Sequence, residues 1–188
     1  MTPREPQEAQ RAHAERVIVN PASGERIVIR TSGAETGGRL LAFDLHLPPG
    51  AHVPARHVHP IQVERFTVTA GCMHFRLGRR TVLAGPGETL VVPPGVPHWF
   101  GNAGSGTAQA RVEVRPALRM EELFEASEAM GEPRRFLGMP LPRLSELALF
   151  MLEFQRELAV PDVPSFLVRA VLTPFAWMGR RRASRMAS

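Results

Sequence analysis

Four residues have the types and spacing to hold a cation: His57, His59, Glu64 and His98. They lie in two glycine-bounded segments, Gly50 to Gly71 and Gly87 to Asn102. His57 and His59 are two apart, so in an extended segment both imidazoles project to the same side. Pro60 breaks the strand register, and Glu64 therefore belongs to the next strand. There it shares a face with Phe66 and Val68, while Arg65, Thr67 and Thr69 share the other. A carboxylate on an apolar face is expensive to bury without a partner, and no Lys or Arg lies locally on that face. A divalent metal held jointly with nearby imidazoles would satisfy it. His98 and Phe100 are in register behind Pro93, Pro94, Gly95 and Pro97, a stiff turn that aims His98 inward.

Such residues need elements that bring them together. Short β runs punctuated by turns fill residues 17–115. Val17–Val19 and Arg26–Arg30 read as strands joined across a Pro-Ala-Ser-Gly turn. In Arg39–Leu47, Leu41, Phe43, Leu45 and Leu47 alternate with Asp44 and His46. In Thr107–Arg115, Ala108, Ala110, Val112 and Val114 alternate with Gln109, Arg111 and Glu113. Many short strands at regular spacing predict a sandwich or small barrel. After Pro116 the pattern becomes helical. Met120–Met130 stops at Gly131, and Arg143–Leu158 sets Leu144, Leu147, Met151, Phe154 and Leu158 on one stripe, widened by Leu149 and Phe150. The organisation expected is a flexible polar N-terminus (1–16), a β-barrel (17–116), a helical extension (117–178) and a basic tail (179–188).

The motif G-x6-H-x-H-x4-E-x6-G, followed by G-x5-P-x-G-x2-H-x3-N, resembles the two signature motifs of the cupin superfamily. The second matches through Gly87, Pro93, Gly95, His98 and Asn102. The first carries one extra residue between Gly50 and His57, which leaves the spacing among the ligands intact. Only 15 residues separate the two motifs, close to the short separation typical of small bacterial single-domain cupins. The resemblance is strong over about residues 40–115. It implies a mainly β jelly-roll barrel, here with a C-terminal α-helical extension, and one divalent transition metal per chain bound by His57, His59, Glu64 and His98. Fe, Mn, Ni and Zn all suit three imidazoles and a carboxylate. The resemblance also implies a homodimer, for which the broad apolar stripe of the helical extension offers a surface.

Composition bounds the rest. The 188 residues allow one domain of ordinary size with appendages. A single cysteine, Cys72, excludes an intrachain disulfide and fits a reducing compartment. Cys72 and His74 alternate with Met73, Phe75 and Leu77, so both are expected to face outward. The polar N-terminus lacks a signal-peptide pattern, which points to the cytoplasm. All 23 basic residues are Arg, against 18 acids, and five of them (Arg169, Arg180, Arg181, Arg182 and Arg185) follow the last acid, Asp162. Without those five, 18 Arg stand against 18 acids and the body of the chain is neutral, which argues against a basic nucleic-acid face. Residues 165–185 join Phe166, Leu167, Val171, Leu172, Phe175 and Trp177 to an arginine cluster. The pattern is that of an interfacial membrane helix. Charge runs at termini are more often solvated, so a terminal helix packed on the domain with a solvated basic tail is the expectation taken here.

Within the family, such sites serve dioxygenases, decarboxylases, isomerases and small-molecule binders. The chain has no Tyr, which sets aside the sugar-nucleotide epimerases that use a tyrosine acid and the thiol dioxygenases with a Cys–Tyr crosslink. One barrel also departs from the two-domain oxalate enzymes. The expectation is an oxygenase-like enzyme acting on a small organic substrate, aromatic or enolic, in a pocket lined by Phe43, Phe66, Phe75 and Phe100. The alternative is a non-catalytic binding or sensing module with a structural metal. No catalytic residue is assigned. Gln62 shares the parity of Glu64 and is a candidate to support it. His52 is a candidate base, more ordinary as a surface histidine, and Asn102 is expected to fix the turn after His98.

Overall fold

Apolar residues at every second position build two antiparallel sheets that close on each other. In the computed structural model, residues 16–53, 55–131, 134–136, 139–141 and 144–186 are described. The larger sheet contains β1 (Val17–Val19), β2 (Arg26–Thr31), β3 (Leu41–Leu47), β4 (Val63–Ala70), β7 (Thr89–Val92) and β9 (Ala108–Arg115), in the order β1-β2-β3-β9-β4-β7. The smaller contains β5 (Met73–Leu77), β6 (Arg80–Ala84) and β8 (His98–Asn102), in the order β6-β5-β8. The crossovers within the larger sheet are those of a jelly-roll barrel.

The alternation predicted for β3 and β9 is what packs. Leu41, Phe43, Leu45 and Leu47 are buried, and in register lie opposite Val114, Val112, Ala110 and Ala108, also buried. β4 continues the layer on the far side of β9, with Phe66 opposite Val112 and Val68 opposite Ala110. Each residue pair thus closes one rung of a continuous apolar layer. In β5, Met73 and Phe75 point inward while His74 stays partly exposed, as does Cys72 just before the strand.

Phe43 does not join the other phenylalanines. Its ring meets Phe124 of α1 (Met120–Ala129) edge-on at 5.2 Å, whereas Phe66, Phe75 and Phe100 pack on one another at 4.9 to 6.0 Å. The pocket expected from all four rings is therefore divided. One ring is spent on holding α1 and three fill the barrel interior, because parity places side chains on a face without saying which neighbour covers them.

The extension comprises α1, a hairpin of β10 (Arg134–Phe136) and β11 (Met139–Leu141), α2 (Leu144–Glu153) and α3 (Ser165–Met186). α2 is shorter than the stripe predicted. After Phe154 the chain turns and lays Ala159 antiparallel against Val58. Leu144, at the start of that stripe, is 64% exposed, while Ala148 and Phe154 are buried. α3 continues past Met178 to Met186, since the arginines and alanine that follow Gly179 are good helix formers. The polar N-terminus lies outside the described residues except Arg16, whose guanidinium pairs with Glu121 at 2.7 Å and with Glu125.

Candidate metal centre

The strand-like segment around His57 is held from both sides. His57 and His98 exchange backbone hydrogen bonds, His57 N donating to His98 O at 3.0 Å and His98 N to His57 O at 2.9 Å. That pairing sets both imidazoles on the same face. On the opposite edge, Val58 and Ala159 exchange bonds of 3.1 and 2.8 Å. The proline turn is tied in as well, through Gly95 N, which donates to His59 O at 2.9 Å with Gly95 at a φ of 75°. Glu64 enters from β4, opposite Val92 and Val114.

One ligand atom from each of His57, His59, Glu64 and His98 lies within 4.8 Å of all the others. His59, Glu64 and His98 are buried, and His57 is partly exposed, so the centre opens on the His57 side. Glu64 Oε2 stands 2.9 Å from His98 Nε2 and 3.3 Å from His59 Nε2. Close as they are, these atoms do not meet hydrogen-bond geometry: His59 Nε2, His98 Nε2 and Glu64 Oε2 are buried with no hydrogen-bond partner. They aim at a shared point rather than at each other. Buried polar atoms are rarely left so, and a cation at that point would satisfy all three.

The opposite nitrogen of each ring is committed. His57 Nδ1 faces Ala55 O at 3.0 Å, His98 Nδ1 faces Val96 O at 3.0 Å, and His59 Nδ1 faces Glu157 O. A proton on each Nδ1 leaves every Nε2 lone pair turned inward, the arrangement in which backbone carbonyls orient metal-binding histidines. Burial together with the neighbouring His98 and His59 pushes His57 down to about 3. Burial opposes ionisation at His59 and Glu64, yet their mutual attraction prevails, holding His59 above its ordinary value and Glu64 well below its own. A carboxylate that stays ionised when buried is what a cation site requires.

The four residues proposed from the motif spacing are thus brought together. The supporting candidates fare differently. Gln62 does not support Glu64 by hydrogen bonding. Its amide donates to Pro116 O at 3.0 Å and Ala117 O at 3.2 Å, tying the start of β4 to the entry of α1, and its Oε1 has no hydrogen-bond partner. Shared parity put it on the right face, but its reach is spent on the backbone beside it. His52 is exposed and packs on Trp99, with ring centroids 5.3 Å apart. Asn102 donates to Leu47 O, Pro48 O and Gly106 O and accepts from Gly104 N, so it pins the turn after β8 and ties it to the end of β3. Gly101 is required where residues 51–53 cross β8, since a Cβ there would stand 2.9 Å from the Cβ of His52.

Glu157 was not foreseen. Its carbonyl orients His59, and its buried carboxylate accepts from Arg119 N at 3.3 Å. No sequence signal marks it, because the atom that matters is a backbone oxygen 98 residues from its partner.

A two-sheet jelly-roll here brings three histidines and a glutamate to one point, a donor set that could hold a divalent metal. Residues 43–114 match the cupin domain model, which supports membership of the cupin superfamily for this barrel. Similar solved structures include an RmlC-like cupin from Shewanella frigidimarina at 16% identity, covering 58% of this chain and 91% of that one with a TM-score of 0.49. A predicted oxalate decarboxylase from Thermotoga maritima is 20% identical, with coverages of 54% and 91% and a TM-score of 0.47. A sugar phosphate isomerase of the cupin superfamily from Silicibacter pomeroyi is 22% identical, with coverages of 54% and 71% and a TM-score of 0.47. A comparison with the curated proteins finds no match.

Proposed function

We propose that this chain binds one divalent transition metal through His57, His59, Glu64 and His98, and that it is a metal-dependent enzyme of oxygenase type acting on a small aromatic or enolic substrate. The observation that carries the metal is the convergence of four ligand atoms, three of them buried without a hydrogen-bond partner. Fe, Mn, Ni and Zn suit this donor set. When bound, such an ion would keep one or two open positions and would supply Lewis-acid polarisation or, if redox-active, one-electron chemistry to a substrate. The chain's own part is to hold the imidazoles in one tautomer, keep Glu64 ionised, and leave an approach beside the partly exposed His57.

A second reading rests on the packing. Phe66, Phe75 and Phe100 fill the barrel interior against one another, which favours a structural metal in a non-catalytic binding or sensing module. Elemental analysis of the purified protein beside a His57→Ala/His59→Ala variant tests the metal. Near one ion per chain, lost in the variant, supports the centre; metal-free protein with no thermal shift on adding divalent ions overturns it. Oxygen consumption with phenolic and enolic compounds, abolished by His98→Ala, separates the enzyme from the module. Stabilisation by such a compound without turnover selects the module.

A further inference from the structure

Helix α3 carries apolar residues on two sides, and the fold uses one of them. Val168, Leu172, Phe175 and Ala176, at helical spacing, form its buried and half-buried stripe, and α3 packs against α2. Around the other side, Phe166, Leu167, Val171 and Met178 are 67%, 46%, 62% and 51% exposed. Pro174 is exposed on the same arc, and Trp177 is 49% exposed. In sequence, Arg180, Arg181, Arg182 and Arg185 follow directly, and no Asp or Glu occurs after Asp162. Exposed apolar area of this kind is characteristic of an interaction site.

We propose that α3 lies in the plane of an anionic lipid surface, its exposed apolar arc in the boundary between headgroups and acyl chains and its arginines against lipid phosphates. Three features on one element point the same way. The apolar arc is broad and free of acids. The cations follow it in a cluster, with no acid after Asp162 in the sequence, the pattern that attracts an anionic leaflet. Trp177 stands at the junction of the apolar and basic stretches, where an amphipathic ring suits the interface. Spanning is not at issue, since among the described residues no helix is long and apolar enough to cross a membrane. A second copy of α3 is the weaker occupant, since neither helix carries an acid to meet the arginines of the other.

Flotation of the full-length protein with phosphatidylcholine vesicles, with and without phosphatidylserine, tests the proposal. The protein should float with the anionic vesicles only and be released by salt. Arg180→Gln/Arg181→Gln/Arg182→Gln should weaken binding roughly a hundredfold, at about fivefold per arginine. Phe166→Ser/Val171→Ser should weaken it by about tenfold or more, with metal content and circular dichroism unchanged because the stripe facing α2 is intact. Failure of the folded wild type to float on anionic vesicles overturns the idea. So does equal, salt-insensitive binding to neutral vesicles. If the serine variant turns a dimer into a monomer in light scattering while lipid binding is untouched, the arc belongs to a second copy instead.

Discussion

The barrel buries two carboxylates in opposite electrostatic states. Glu25 closes the turn between β1 and β2 and is 7% exposed; Glu64 sits in the histidine cluster and is 4% exposed. Burial pushes Glu25 up to about 7, and hydrogen bonds with Ser23 and Asn20 only partly offset it. Glu64 meets the same penalty, yet His59 and His98 hold it well below the ordinary value. Burial, with a smaller repulsion from Glu64, is therefore enough to keep a carboxyl of this fold protonated up to about 7. Converging imidazoles keep the other ionised, which sets a candidate ligand apart from a carboxyl that is merely enclosed.

The largest test removes the ionised member. Glu64→Ala should lose metal binding, and with it the stabilisation that metal confers. In the wild type that gain should reach about 4 kcal/mol at free metal roughly a thousandfold above Kd. Thermal melts with and without added metal would show it. A variant that keeps the full metal-dependent gain would show that Glu64 is enclosed like Glu25 and is not a ligand.

Glu25→Gln comes next, and its sign is fixed by linkage. In the folded chain Glu25 holds its proton up to about 7, whereas the unfolded chain releases it near the ordinary value of about 4.5. The wild type should be fully stabilised below that lower value and lose stability as pH rises through 7. The whole shift corresponds to roughly 3 kcal/mol. Glutamine cannot ionise, so the variant should match the wild type near pH 4 (about the unfolded value) and exceed it above 7 by up to that amount. Urea denaturation across the range would reveal the gap, and parallel curves would mean that Glu25 ionises freely in the folded state. Metal content should not change.

The environment of Glu64 depends in turn on the orientation of His59. His57 and His98 are oriented by carbonyls two residues away, but His59 relies on Glu157, beyond α2. Ala159→Pro removes the N–H that donates to Val58 O at 2.8 Å and should loosen the Glu157 carbonyl with it. Metal affinity should fall about 10- to 100-fold, as is usual when a ligand's supporting partner is lost. Competition with a chelator would measure it. Unchanged affinity would show that the extension only covers the barrel.

These differences also mark what the sequence could reveal. The convergence of the four candidate ligands was legible because His-x-His, a following strand parity and a proline-stiffened turn are local geometry. The layers of β3 and β9 were legible because alternation survives in register. The role of Glu157 was not, since it acts through a backbone oxygen that no side chain advertises. Gln62 and Phe43 show a related gap: parity gives the face, and only the tertiary neighbour gives the partner. The two sides of α3 were equally opaque, because apolar residues that pack on α2 and those that remain exposed share one composition.

The smallest effect is expected at Ser23, whose hydroxyl lies 3.2 Å from Glu25 Oε2. A hydroxyl donating to a carboxylate favours the ionised form, so Ser23 is one of the few groups working against burial at this turn. Ser23→Ala should therefore raise Glu25 further, not lower it. The cost should be about 1 kcal/mol and concentrated above pH 7, where the wild-type carboxylate is ionised; at acid pH the protonated carboxyl depends less on the hydroxyl. In denaturation across pH, the midpoint of the stability loss should move upward. In Ser23→Ala/Glu25→Gln the pH-dependent part should vanish, because no titrating carboxyl remains at the turn. A midpoint that moves downward instead would mean that Ser23 stabilises the protonated form, and the contrast with Glu64 would then rest on hydrogen-bond direction as well as on the imidazoles.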